Sequence, residues 1–145
     1  MKTLVFSVEI FADSEHIWKI LWENESYTCW TKPFTEGCTY ETEAFAEGND
    51  IKFLSPTGDG MSSKIVSYKP REFVAFEHFG MIVNGEKSTF KAGDDHHQYL
   101  ETYQPEKNEN SATLTVKVDT LEPWEAMMST SFPQALKIIK ELSEQ

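Results

Sequence analysis

FADSEHIWKILWENESYTCWT, residues 11–31, holds three of the four tryptophans of the chain, Trp18, Trp22 and Trp30. Asp13 or Ser14 is a good N-cap, because its side-chain oxygen can accept from the free amides of a first helical turn. A helix is predicted from there to about Trp22, with Ile17, Trp18, Leu21 and Trp22 on one side of it. Asn24 interrupts the pattern, and a second short helix is predicted from about Glu25 to Thr31, placing Tyr27 and Trp30 one turn apart. Helices this short are marginal alone in water. Both must dock on something, and their aromatic rings supply most of the docking area.

The flanks say what they dock on. Before them, Leu4, Phe6, Val8 and Ile10 alternate with Thr3, Ser7 and Glu9, which predicts a strand with one buried face. After them, from Pro33 to Leu121, the period is mostly two and turn residues recur regularly. Strands are predicted near Cys38–Phe45, Ile51–Leu54, Met61–Tyr68, Phe73–Val83, Gln98–Tyr103 and Ala112–Val118, joined by short polar turns as in an antiparallel meander. The end is helical: Pro123 suits a first helical position, and Met128, Phe132, Ala135, Ile139 and Leu142 form an apolar stripe. Pro133 lies inside that stripe and cannot donate to the carbonyl of Ser129, so a kink there, or a helix beginning there, is expected. The order predicts an α+β fold: a curved antiparallel sheet of about seven strands around a long C-terminal helix, with two short helices after strand 1. A curved sheet gripping one helix leaves space between them, a natural pocket.

The totals fit one domain spanning residues 1–145, with 39% hydrophobic, 13% aromatic and 26% charged residues. Twenty-four acidic residues against 13 basic ones give a net charge of −11. That field repels phosphate, and no Lys/Arg cluster breaks it locally, which argues against nucleic-acid binding and against docking on an anionic membrane. No apolar run is long enough to span a bilayer. MKTLVFSVEIF at the start alternates like a strand and lacks a small-residue cleavage site, so a cytoplasmic location is expected. Cys29 and Cys38 form no CxxC pair and suggest no disulfide framework.

The order of elements, together with local phrases, resembles the helix-grip superfamily of START-like (SRPBCC) proteins. Within it, the chain is similar to the domains homologous to the C-terminal part of the Hsp90 ATPase activator. The phrase Ala-x-x-x-x-(Val/Ile)-Trp after the first strand stands here as Ala12 to Trp18, followed by the second tryptophan, Trp30. Lys69-Pro70-Arg71-Glu72-Phe73 matches the proline before the central strand, and Ser131-Phe132 stands where the closing helix has Gly-Trp. The resemblance implies a cavity; superfamily members include lipid and hormone binders, aromatic-ring cyclases and chaperone-linked proteins. Fold alone does not choose among them.

Most motif candidates in the chain fail on order or spacing. Gly58-Asp59-Gly60-Met61-Ser62-Ser63-Lys64 has the residues of a phosphate loop in the wrong order, with a strand after the turn instead of a helix. Asp94-Asp95-His96-His97 could offer metal ligands, but adjacent histidines in a strand face opposite ways and no third ligand is suitably spaced; a solvated turn is expected. There is no Gly-x-Ser-x-Gly elbow. Cys29, between Tyr27 and Trp30, is expected to be a buried, inert thiol. Glu41 and Glu43 on one strand face would be about 7 Å apart, but such spacing arises on any exposed strand. No motif implies a cofactor or a metal.

Phe73-Val74-Ala75-Phe76-Glu77-His78-Phe79-Gly80 is more informative. Val74, Phe76 and His78 share one face and Phe73, Ala75, Glu77 and Phe79 the other, so either inward face carries one ionisable group. A lone polar group in an apolar pocket can orient a ligand or act as a base. Trp18 is expected to be structural and Trp22 is undecided, whereas Trp30 would lie nearer the pocket mouth. Trp124, Met127, Met128 and Phe132 form the wide end of the stripe, as core packing or as a ligand wall.

The expected function is therefore binding of a small, largely apolar molecule between sheet and C-terminal helix. Trp30, Phe76, His78, Met128 and Phe132 are the expected lining, with His78 as polar anchor. The resemblance implies an alternative, an interaction protein partnering an Hsp90-type chaperone, although the chain has no room for the activator's separate N-terminal domain. A cyclase- or hydrolase-type enzyme using His78 or Glu77 is a third reading that no motif requires.

Overall fold

The structure, a computed structural model, describes residues 2–89 and 99–145. The Asp94–His97 turn and the strand start near Gln98 lie outside the described residues. The elements are β1 (Lys2–Ile10), α1 (Ser14–Trp22), α2 (Asn24–Trp30), β2 (Thr39–Thr42), β3 (Asp50–Leu54), β4 (Gly60–Lys69), β5 (Phe73–Val83), β6 (Glu86–Thr89), β7 (Tyr99–Lys107), β8 (Ala112–Thr120) and α3 (Glu122–Ser143). They form an antiparallel sheet ordered β1-β8-β7-β5-β4-β3-β2, with β6 paired to β5 beside this path. The order of elements is the one read from the sequence, with β6 as an added short strand.

Alternation decides which face is inside. On β8, Ala112, Leu114, Val116, Val118 and Thr120 are all buried, with half-buried or exposed residues between them. On β5, the inward face is the one with Val74, Phe76 and His78; Glu77 is on the other. The ladder between β4 and β5 shifts register twice, between Ser62 and Ser63 and between Ile65 and Ser67. Such irregularities bend a strand and increase its twist, and here they fall on the central pair of the sheet.

Asp13 caps α1 by accepting from the amide of His16 at 2.8 Å. The break between α1 and α2 falls at Glu23, which is extended, so Asn24 begins α2 and does not merely end α1. Trp22 is the hub of the core, with ring centroids 5.0 Å from Tyr103, 5.3 Å from Phe76 and 5.3 Å from Phe45. Trp18 packs on Tyr68. Trp22 is therefore scaffold, like Trp18.

The C-terminal helix runs unbroken through Pro133 from Glu122 to Ser143, so no helix starts at that proline. It lies over β1, α1 and α2. Phe132 stacks on Phe6 at 5.1 Å and meets Phe34 edge-on at 4.8 Å, and Ser131 Oγ donates to the Pro33 carbonyl at 3.0 Å. These contacts tie the middle of α3 to the first strand and to the loop after α2.

Candidate functional site

A cavity of about 310 Å³ lies between the concave sheet face, α2 with its following loop, and the N-terminal half of α3. Tyr27 and Trp30 reach it from α2, Phe34 from the loop, Phe53 from β3, and Met61 and Met81 from β4 and β5. Trp124, Met127, Met128 and Phe132 form the helix wall, and Met127 is 43% exposed at its edge. The wall is mostly aromatic and thioether, a lining that adapts to an apolar occupant. Gly60 is part of it: a Cβ there would sit 1.8 Å from the Phe53 carbonyl oxygen, so only glycine lets β4 leave its turn this close to β3.

The structure brings together three of the residues picked from the sequence: Trp30, Met128 and Phe132 all face the cavity. Trp30 is 2% exposed and fixed by its indole N–H, which donates to the Leu21 carbonyl at 3.0 Å. Phe76 and His78 are not in this wall. Phe76 is fully buried among Trp22, Phe45, Phe53 and Tyr103. His78 borders a much smaller crevice, of about 20 Å³, that also touches Met128 and Trp124.

The polar side chains at the deep end of the cavity are Glu101 and Tyr103, which the sequence reading did not single out. Glu101 links the cavity to His78. His78 Nε2 lies 2.9 Å from Glu101 Oε1, and His78 Nδ1 lies 2.6 Å from Ser63 Oγ. Tyr103 donates its phenolic proton to Glu101 Oε2. All these bonds are satisfied when His78 carries its proton on Nε2, donates it to Glu101, and accepts from the Ser63 hydroxyl on Nδ1. Strand register explains the assembly: Ser63 pairs directly with His78, and Glu101 stands opposite Phe76, one diagonal step from His78. Burial and the neighbouring Glu101 push the Tyr103 phenol well above its ordinary value, so it remains a donor.

Ser63, His78 and Glu101 have the residue types of a nucleophilic triad. Ser63 is 2% exposed, however, and does not border the cavity, so no acyl group can reach its oxygen. The chain of bonds positions Glu101; it does not present a nucleophile. Glu77 is half-buried on the opposite face of β5 from His78.

Cys29 is exposed, not buried as expected, because it occupies the outer side of α2 while Tyr27 and Trp30 take the inner side. Cys38 borders the cavity, and burial raises its thiol pKa. Glu41 and Glu43 are exposed, and β2 ends at Thr42 between them. Among the described residues there is no cluster of His, Cys, Asp and Glu able to hold a metal, and no helix is long and apolar enough to cross a membrane.

Neither a family model nor a curated protein matches this chain. Solved structures do. A protein from Mesorhizobium loti superposes with a TM-score of 0.73 at 12% identity, covering 97% of this chain and 96% of that one. A protein from Chromobacterium violaceum gives 0.67 at 14%, covering 100% and 99%. The Aha1 dimer from Colwellia psychrerythraea gives 0.67 at 18%, covering 99% and 97%. At such identities the likeness is one of fold: a curved antiparallel sheet, two short helices after its first strand, and a long C-terminal helix.

Proposed function

We propose that this protein binds a small, largely apolar molecule in the cavity between the sheet and α3. The observation that carries this reading is the cavity itself, about 310 Å³, walled mostly by aromatic and methionine side chains, with Glu101 and Tyr103 among its few polar groups. Pockets of this size and composition suit a small ligand held by apolar contact and oriented by few polar groups. Trp30, Met128 and Phe132 would touch the ligand directly. Phe76 and His78 would act from behind, Phe76 by packing and His78 by holding Glu101.

Native mass spectrometry of freshly purified protein, compared with the denatured mass, tests the proposal first. Added ligand should raise the melting temperature, since binding only the folded state stabilises it by mass action. Met128→Trp should fill the cavity and abolish that rise while the protein stays folded by circular dichroism. A variant that keeps the full ligand-induced rise would move the site elsewhere.

The likeness to the Aha1 dimer supports a second reading, a chaperone-cofactor-like interaction protein. It expects salt-sensitive binding to an Hsp90-type ATPase and a change in its turnover, neither of which should respond to Met128→Trp.

A further inference from the structure

The cavity has a charge preference written into its wall. Two carboxylates border it, Glu101 and Asp59, and among the described residues lining it there is no lysine, arginine or histidine. Glu101 is 14% exposed and receives one donor on each oxygen, from His78 and from Tyr103. A carboxylate has about four lone-pair sites, so Glu101 keeps capacity for a further donor from the cavity side. Asp59 accepts from the Asn84 amide at 3.0 Å and stands at the β3–β4 turn, on the rim. Around these lie the rings of Tyr27, Trp30, Phe34, Phe53 and Trp124, whose faces attract cations.

Resting on the cavity-binding reading above, we infer that the ligand class is an apolar amine: an ammonium head directed at Glu101, with an aromatic or aliphatic body against the rings and methionines. The opposite class, fatty acids and other apolar carboxylates, is disfavoured. Such a ligand would set a second negative charge beside Glu101, in a site screened less than bulk water, with no cation among the described lining residues to receive it. The overall charge of −11 adds to that repulsion. A neutral alcohol could still use the apolar wall but would gain only an uncharged hydrogen bond, roughly half as strong as a charge-assisted one.

Three probes that differ only in their head group separate these cases: naphthylethylamine, naphthylethanol and naphthylacetate, titrated against the full chain at neutral pH by calorimetry. The amine is expected to bind at least about tenfold more tightly than the alcohol, and the carboxylate to bind weakest. Glu101→Gln, which keeps the shape and removes the charge, should bring the amine down to the level of the alcohol. Comparison of the three probes on the unaltered protein needs no variant, so the inference is exposed even if Glu101→Gln does not fold. Carboxylate binding equal to or tighter than the amine would overturn it, as would an amine preference that survives Glu101→Gln. In either event, binding of the alcohol that Met128→Trp abolishes would leave the cavity reading standing. Failure of all three probes to bind would remove the cavity reading, and this inference with it.

Discussion

Glu101 sits on β7 between two inward-facing tyrosines, Tyr99 and Tyr103, and shares their side of the strand. That alternation is present in Tyr99-Leu100-Glu101-Thr102-Tyr103, and it is the signal by which the residue could have been found. It is weak because a glutamate between aromatics is more often a rim residue than a core one; its inward place depends on partners 23 and 2 positions away, His78 and Tyr103. His78 was legible because the strand around it is apolar on both faces, so an ionisable group had to be enclosed. What was hidden is that its ring is consumed by two bonds and does not face the ligand space. This gives an energetic expectation. His78→Leu strips buried Ser63 of its partner and Glu101 of one of its two donors, and should destabilise the fold by about 2–4 kcal/mol in urea unfolding. Ser63→Ala removes only one neutral bond and should cost about 1 kcal/mol. If the two variants cost the same, the His78–Glu101 bond contributes nothing beyond the Ser63 one.

Among the elements, α3 shows where local rules yield to tertiary packing. Pro133 removes the hydrogen bond to the Ser129 carbonyl, and a proline in a helix interior is about 3 kcal/mol less favourable than alanine. The helix nevertheless continues, because Phe132 is held by Phe6 and Phe34 and Ser131 by Pro33 on one side, while Ala135, Leu136 and Ile139 are buried beyond. Proline also restrains the unfolded chain, which offsets part of its cost. Pro133→Ala should therefore raise stability by about 1–2 kcal/mol, read as a shift in the urea midpoint at unchanged slope. A loss instead would mean that the proline sets a bend that the Phe6–Phe132 contact needs. The short helices tell the complementary story: their caps and apolar faces were readable, but the junction between them falls at Glu23, where the chain becomes extended before α2 begins.

For the whole molecule, the aromatic core sets the alkaline limit of stability. Tyr27 and Tyr103 have phenols held well above the ordinary value of 10.0, first by burial and then by the charge of Glu101; burial also raises Tyr40. The folded state therefore keeps protons that the unfolded chain releases from about pH 10 upward. Stability from these groups is fully present below about pH 10 and is lost as the pH rises through the folded-state values. The growing negative charge of an already acidic chain acts in the same direction. Urea unfolding measured from neutral to strongly alkaline pH should show stability falling steeply above about pH 10, with the slope reduced in Tyr103→Phe and in Tyr27→Phe. Parallel slopes in both variants would assign the loss to general repulsion.

The architecture is written along the chain, because it follows from period and punctuation. The two-residue alternation of β1 and β8, the capped apolar turns of 14–30 and the four-three stripe of α3 each require a partner surface, and few arrangements satisfy all of them. The sequence also determined that aromatic rings would supply the core and that one strand would enclose an ionisable group. Which of those rings border empty space depends on how the distant strands and helices pack. Trp22, left undecided by the sequence, is surrounded by rings, while Trp30 has the cavity on one side. A cavity is the space left over after strands distant in sequence have bent and paired, and the register shifts on β4 and the diagonal step from His78 to Glu101 are properties of that pairing. No local pattern encodes them, which is why the fold could be read residue by residue and the polar end of the site could not.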